Sequence, residues 1–257
     1  MLQLPFLNKV TTLSANQNKS IYVYTSRFYL KHYLWLTLAG LLFFWLSRYD
    51  GWDWAISRHF YDPALRRFPW QNNRWLDLIN HRLLKDAVLV FGVALLAAAA
   101  FTRRWQWLLV ALLIGIGPLV VGVLKATSAH SCPWDLLAFG GRARAWPLLG
   151  SPPADSGPGH CFPGGHASSG FGLMALRFLF PQPRRLGVFL WAAAVLLGLI
   201  MGWGQVMRGA HFVSHNLWAG WWVWLSQLSI YAGLSRWIAR RSTTHDGSPK
   251  PETVPLD

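Results

Sequence analysis

Residues 105–124 read WQWLLVALLIGIGPLVVGVL, an uncharged run that stops at Lys125. A helix of about 20 apolar residues is what a bilayer core requires, so this stretch reads as a membrane span. Working outward, similar runs occupy 33–46, 87–101, 167–180, 186–203 and 217–238, with the charges gathered between them. The run at 33–46 is short, and Lys31 and Arg48 beside it suit snorkelling from either end. Ala194, Gly198 and Gly202 recur every four residues in the fifth run and form a smooth ridge for close helix packing. The expected fold is all-α: a polytopic membrane protein with a six-transmembrane-helix bundle.

Between the first two spans, Trp52, Ile56, His59 and Phe60, then Trp75, Leu78, Ile79 and Leu83, repeat at helical spacing on either side of Pro63. This predicts two amphipathic helices lying in the interface. Residues 1–31 are polar and basic and read as a cytoplasmic segment at the membrane surface, without a cleavable signal. Residues 32–241 form the membrane domain, and 242–257, polar with three prolines, read as a disordered cytoplasmic tail.

Six spans put both termini on one side. The Lys and Arg totals on the two sides nearly balance, but both short loops, Arg103-Arg104 and Arg184-Arg185, are double-arginine turns on the side of the termini. The positive-inside rule acts through short loops, so that side is expected to be cytoplasmic. The chain carries 53% hydrophobic and only 13% charged residues, with a net charge of +14. Its basic residues stand in small groups beside apolar runs, where they anchor to anionic headgroups, so a nucleic-acid partner is not expected.

Both cysteines, Cys132 and Cys161, fall in the long loop 126–165 on the opposite side. An oxidising compartment there favours a bridge between them; two free thiols, or a metal pair completed by histidines, are the alternatives. The end of this loop, Cys161-Phe162-Pro163-Gly164-Gly165-His166, opens the fourth span. A helix start offers backbone N–H groups without partners and the positive end of a dipole, and two glycines let an anion approach them closely. Without other support, such a glycine pair is an ordinary turn. Here Lys125 closes span three at the same surface, and Arg208 and His211 stand just before span six. Cations, a helix start and imidazoles are the parts that phosphoryl transfer uses.

The order Lys125…Cys132-Pro133, then Pro163-Gly164-Gly165-His166, then Arg208-Gly-Ala-His211-Phe-Val-Ser214-His215 resembles the three-part signature of the type-2 phosphatidic acid phosphatase family. The resemblance covers roughly residues 85–225. It implies a six-helix bundle, a site at the extracytoplasmic surface and no metal or other cofactor. His211 would be the nucleophile, His166 the acid for the leaving oxygen, and Lys125 with the amides of Gly164 and Gly165 the phosphate seat. The chain departs from the signature at four places. Cys132 replaces an arginine, Gly164 a serine, Gln205 an arginine and His215 an aspartate. Arg208, nearly one helical turn beyond Gln205, is expected to reach the phosphate instead, with Arg142 and Arg144 as further substitutes. His215 is expected to hold the His211 ring by a hydrogen bond, and Asp135 or Asp155 to supply the missing negative charge. Cys132 is accounted for by a disulfide to Cys161.

The resemblance therefore implies a lipid phosphatase of a bacterial inner membrane, facing the periplasm and embedded in the bilayer with its substrate. Undecaprenyl diphosphate, phosphatidylglycerophosphate, phosphatidate and phosphorylated lipid A are the candidate lipids. Transfer of the phosphate to a second lipid, a non-catalytic phospholipid binder, and a metal site built from His211, His215, His160, Cys161 and His166 are the competing readings. The last lacks the glutamate that a helix-borne zinc hydrolase places beside its histidines.

Overall fold

The computed structural model describes residues 12–13, 21–148, 150–181 and 184–245. These residues hold seven α-helices: α1 Ser26–Arg48, α2 Gly51–His59, α3 Leu84–Thr102, α4 Trp105–Ala126, α5 Gly165–Gly172, α6 Arg185–Met207 and α7 Val213–His245. A minimal antiparallel pair, β1 Thr12–Leu13 with β2 Ile21–Tyr22, precedes them. Among the described residues, four helices are long and apolar enough to cross a membrane: α1, the continuous helix Leu76–Thr102, α4 and α6. Their outer faces expose Leu34, Trp35, Leu38, Leu89, Val90, Leu196 and Ile200. An apolar ring of this extent belongs against lipid, and the protein is an all-α, multi-pass membrane protein.

The fourth expected span takes another form. α5 is eight residues long and continues as a 3-10 helix, Leu173–Leu179. At about 1.5 Å and 2.0 Å rise per residue the two pieces reach about 26 Å, close to the bilayer core, although the segment is short. It is buried nearly all round, with Ala167, Ser168, Phe171, Met174, Ala175 and Phe178 inside the bundle. Small residues admit it. A Cβ at Gly170 would lie 2.7 Å from Gly198 N, and one at Gly198 would strike the Phe171 ring, so the predicted ridge on α6 receives α5 at Gly198, while Gly202 makes room for Asn216 of α7. On α4, Pro118 has no N–H to bond Ile114 O, and Gly172 approaches that carbonyl within 2.8 Å of where its Cβ would stand.

Of the two interfacial helices expected between the first spans, α2 forms. The second does not lie apart: Leu76–Leu83 is a π-helical segment that runs directly into α3. Of the segment's faces, Trp75, Ile79 and Leu83 stay exposed while Asn80 turns into the bundle. Asn80 Nδ2 donates to Ile200 O (3.2 Å) and its Oδ1 accepts from Gln205 Nε2 (3.2 Å).

At the end opposite the long loop, residues 21–24 are tucked into the bundle and do not trail from it. Tyr22 N donates to Gln106 Oε1 (3.1 Å), Tyr231 OH donates to Tyr22 O (2.7 Å), and Tyr24 OH donates to Arg177 O (3.0 Å). Residues 26–31 already belong to α1, capped by Thr25, so the first long helix begins before the expected boundary at 32, and residues 1–11 and 14–20 lie outside the described residues. So does the tail beyond His245, although α7 runs on past Ser242, where the tail was expected to begin. Charge is divided unevenly. Arg27, Lys31, Arg103, Arg104, Arg184, Arg185 and Arg236 ring this end, and among the described residues it holds no aspartate or glutamate. Asp50, Asp53, Asp62, Asp77, Asp135 and Asp155 all belong to the other end.

Candidate active site

Three chain segments meet at the end of the bundle that carries the long loop. α4 delivers Lys125 in its last turn, and α5 begins at Gly165 with His166 next. A Cβ built on Gly165 would stand 3.7 Å from Lys125 Nζ, so the ammonium lies over the start of α5. The third segment is the turn between α6 and α7. There Gly209 N donates to Val206 O and Ala210 N to Gln205 O, both at 2.9 Å, with Gly209 at φ 73°. This is the paired bonding of a Schellman stop, which ends α6 and aims the next residue, His211, inward. A Cβ on Gly209 would meet the Phe68 ring at 2.3 Å, so the turn tolerates only glycine on two separate grounds.

Cys132 and Cys161 are bridged, as the loop placement favoured. The bridge joins the segment after Lys125 to the segment before Gly164, and it also touches the third. Cys161 Sγ lies 3.3 Å from His211 Nδ1. A half-cystine carries no proton, so in any hydrogen bond between the two it is Nδ1–H that donates. His211 is 2% exposed. Burial holds its imidazole well below the ordinary histidine range; Lys125, His215 and His166 push the same way, against the Cys161 backbone carbonyl. The ring is therefore neutral at physiological pH, the form in which imidazole is a nucleophile.

The remaining expected residues are placed differently. Gly164 donates its amide to His215 O (2.9 Å), so the donors facing an anion begin at Gly165. A Cβ on Gly164 would lie 2.3 Å from Asn216 Oδ1, and Asn216 is pinned through Nδ2 to Gly202 O and Phe212 O. This explains why the chain has glycine where the resembling family has serine. Gly164→Ser is accordingly expected to lower thermal stability, and adding Asn216→Ala to restore much of it; thermal melts on the single and double variants check this.

Arg208, assigned from sequence to the phosphate, is held instead by Gln71 O (3.1 Å to Nε) and Asp77 Oδ1 (3.6 Å to Nη1). Gln205 pairs with Asn80, as above. Arg144 pairs with Asp155 at the exposed rim (3.4 Å), and the Asp135 backbone carbonyl accepts from the amides of Arg142 and Ala143. His215 does not hold the His211 ring by a hydrogen bond. The two rings are 5.8 Å apart and nearly perpendicular, His215 packs edge-on against Phe162 and Phe212, and its buried Nδ1 has no hydrogen-bond partner. His160 Nδ1 faces Lys125 O at 3.4 Å. The sulfurs of Cys132 and Cys161 and a ring nitrogen of His211 lie within 4.8 Å of one another, but a metal takes thiolates, and the disulfide consumes both.

Asp53 was missed altogether in the sequence. This residue of α2 is 3% exposed and accepts from the amides of Val213 (2.8 Å) and Ser214 (3.3 Å), the first two residues of α7. It caps, from 160 residues away, the helix that follows His211. Burial pushes its carboxyl up from 3.8 to about 6. A raised carboxyl contributes stability that is complete below 3.8 and lost as pH rises through about 6. The melting temperature of wild type relative to Asp53→Asn is therefore expected to fall between pH 4 and 7. Asp53→Ala, which leaves the α7 amides without an acceptor, should cost about 1 to 2 kcal/mol more than Asp53→Asn, and by the same margin at every pH.

The chain belongs to the PAP2 superfamily, whose family model matches residues 105–239, more than half of its length. Members of this superfamily are in general phosphatases acting on phosphoesters, lipid phosphoesters among them, which accords with a bundle exposed to lipid. No curated protein and no solved structure matched the chain.

Proposed function

We propose that the protein is an integral membrane lipid phosphatase that works through a phosphohistidine on His211. Neutral Nε2 of His211 attacks phosphorus, the bond to the lipid oxygen breaks, and His166 gives that oxygen a proton. Water then attacks the phosphorus of the intermediate, the P–N bond breaks, and His166 takes the proton back. Lys125 and the first-turn amides of α5 that follow Gly164 stabilise the charge on the phosphoryl oxygens. The observation that carries the reading is the meeting, at one end of the bundle, of the buried His211 ring with Lys125 and the start of α5.

Among the described residues, Lys125 is the lysine or arginine whose charge acts on His211. The amides of α5 therefore carry a larger share of the phosphate contact than they would beside two arginines. On this reading α5 with its 3-10 extension and α7 complete six crossings. The basic end, with its double-arginine turns, faces the cytoplasm, and the disulfide-bearing loop faces the periplasm of a bacterial inner membrane.

The test is phosphate release by purified protein from phosphatidate, phosphatidylglycerophosphate, undecaprenyl diphosphate and a phosphorylated lipid A, with chelator present throughout. Release from at least one, retained under chelation, is expected. No release from any of them would favour a lipid-binding relative, and loss under chelation would return attention to metal chemistry.

A further inference from the structure

The turn that carries His211, residues 208–212, joins α6 directly to α7. A segment far upstream grips it at most of its positions. Arg208 is held by Gln71 and Asp77, Gly209 lies against the Phe68 ring, and Phe212 packs beside Trp54 (5.4 Å between centroids). Val213 and Ser214, just beyond the turn, donate their amides to Asp53. All of these holding residues fall between 53 and 77, outside the span 105–239 that matches the family model.

The start of the turn is set by the backbone, through the stop at Gly209. Its far end is set from outside. α7 carries no acidic residue in its first turn, and a helix start without one leaves open amides and the positive end of the dipole uncompensated. Asp53 supplies the acceptor from α2. Its Oδ1 takes Val213 N at 2.8 Å and Ser214 N at 3.3 Å, and Oδ2 lies 3.3 Å from Ser214 N as well. A carboxylate that meets two successive amides through both oxygens fixes the helix start in rotation as well as in distance. His211 stands two residues before Val213, so its place follows that of the helix start. Since His215 forms no bond to the His211 ring, the aim of that ring depends on this backbone and on the disulfide sulfur beside Nδ1.

We propose that Asp53 is a positioning residue for the reaction: by fixing the first amides of α7 it keeps His211 in line with the phosphorus, while touching neither substrate nor reacting atoms. The proposal rests on the phosphatase reading and adds to it a requirement from outside the family-matched span. Folding has other support here, because Phe68, Leu136, Phe139 and Phe212 form a buried apolar cluster around the turn. Loss of Asp53 therefore leaves the turn near its place and removes its fine alignment. A misplacement of about 1 Å can cost a reaction about 100-fold. Binding is spared, because Lys125 and the α5 amides belong to other segments.

The experiment uses the full chain in micelles and the lipid that wild type dephosphorylates fastest among phosphatidate, phosphatidylglycerophosphate, undecaprenyl diphosphate and phosphorylated lipid A. Rates are taken well below the melting temperature of every variant, so that lost stability alone leaves them unchanged. Asp53→Ala is expected to lower kcat by about 10-fold or more with KM within about 2-fold of wild type, and Asp53→Asn, which keeps an acceptor oxygen, to return kcat to within about 3-fold. Val213→Pro gives an independent reading should Asp53→Ala fail to fold. Proline is tolerated at the first position of a helix and removes the amide that Asp53 holds most closely, so kcat should fall again with KM little changed. Tyr24→Phe removes hydrogen bonds at the opposite end and should lower the melting temperature with kcat intact. Wild-type kcat in Asp53→Ala or Val213→Pro, a change confined to KM, or an equal fall in Tyr24→Phe would overturn the positioning role and leave the phosphatase standing. Asp53→Asn as slow as Asp53→Ala would overturn it too, by assigning the effect to charge. No phosphate release by wild type from any of the four lipids would overturn the phosphatase reading and this role with it.

Discussion

Replacing His211 by alanine is expected to lower phosphate release by about 10³-fold or more, which corresponds to about 4 kcal/mol of lost transition-state stabilisation. The residue is buried, so a rate alone does not separate chemistry from damaged packing. A paired comparison does. His166→Ala removes the proton donor, and its deficit should shrink sharply on an ester whose leaving group is acidic enough to depart without help. His211→Ala should gain nothing from that substrate, because the bond to phosphorus is the one it cannot make. Quenching a labelled reaction in alkaline denaturant, where the P–N bond survives, should trap phosphohistidine in wild type and none in His211→Ala. Equal rates in wild type and His211→Ala would remove the mechanism.

Opening the disulfide is the second large effect. The bridge closes a separation of 29 residues, worth about 3 to 4 kcal/mol in the loop-entropy account. Its sulfur also faces His211 Nδ1, the position from which the ring is steered. Treatment with reductant, or Cys132→Ala with Cys161→Ala, should therefore depress kcat by about 10-fold or more as well as lowering the melting temperature. Intact mass should rise by about two protons on reduction, and activity should return on reoxidation. A reduced protein of full activity would show that the sulfur does not steer the ring.

The apolar runs were legible because hydropathy is a local property. All six fall on helical segments, and the ridge Ala194, Gly198, Gly202 was correctly read as a packing face. The bridge was legible too, since both cysteines share one loop. What escaped depended on partners far away in the chain. Residues 76–83 carry Asp77, Asn80 and Arg82 and read as a surface helix; Asn80 instead meets Gln205, 125 residues on. Arg208 presents a cation near the right place, and nothing adjacent to it shows that Asp77 and Gln71 hold it. Asp53 looks like any acidic residue between spans, because the α7 amides it serves lie 160 residues downstream. The departures from the family signature are likewise explained only in space. Gly164 leaves room for Asn216, and Cys132 exchanges a possible phosphate contact for a covalent tie.

The ring of arginines and lysines opposite the site has no carboxylate of its own among the described residues. Its counter-charge must be borrowed from the surrounding leaflet, at about 1 kcal/mol for each basic group near an anionic surface. How firmly the bundle is seated is thus set partly by lipid composition. In a purely zwitterionic or non-ionic detergent this end should loosen before the other, with Tyr22, Tyr24 and Gln106 the first contacts to let go.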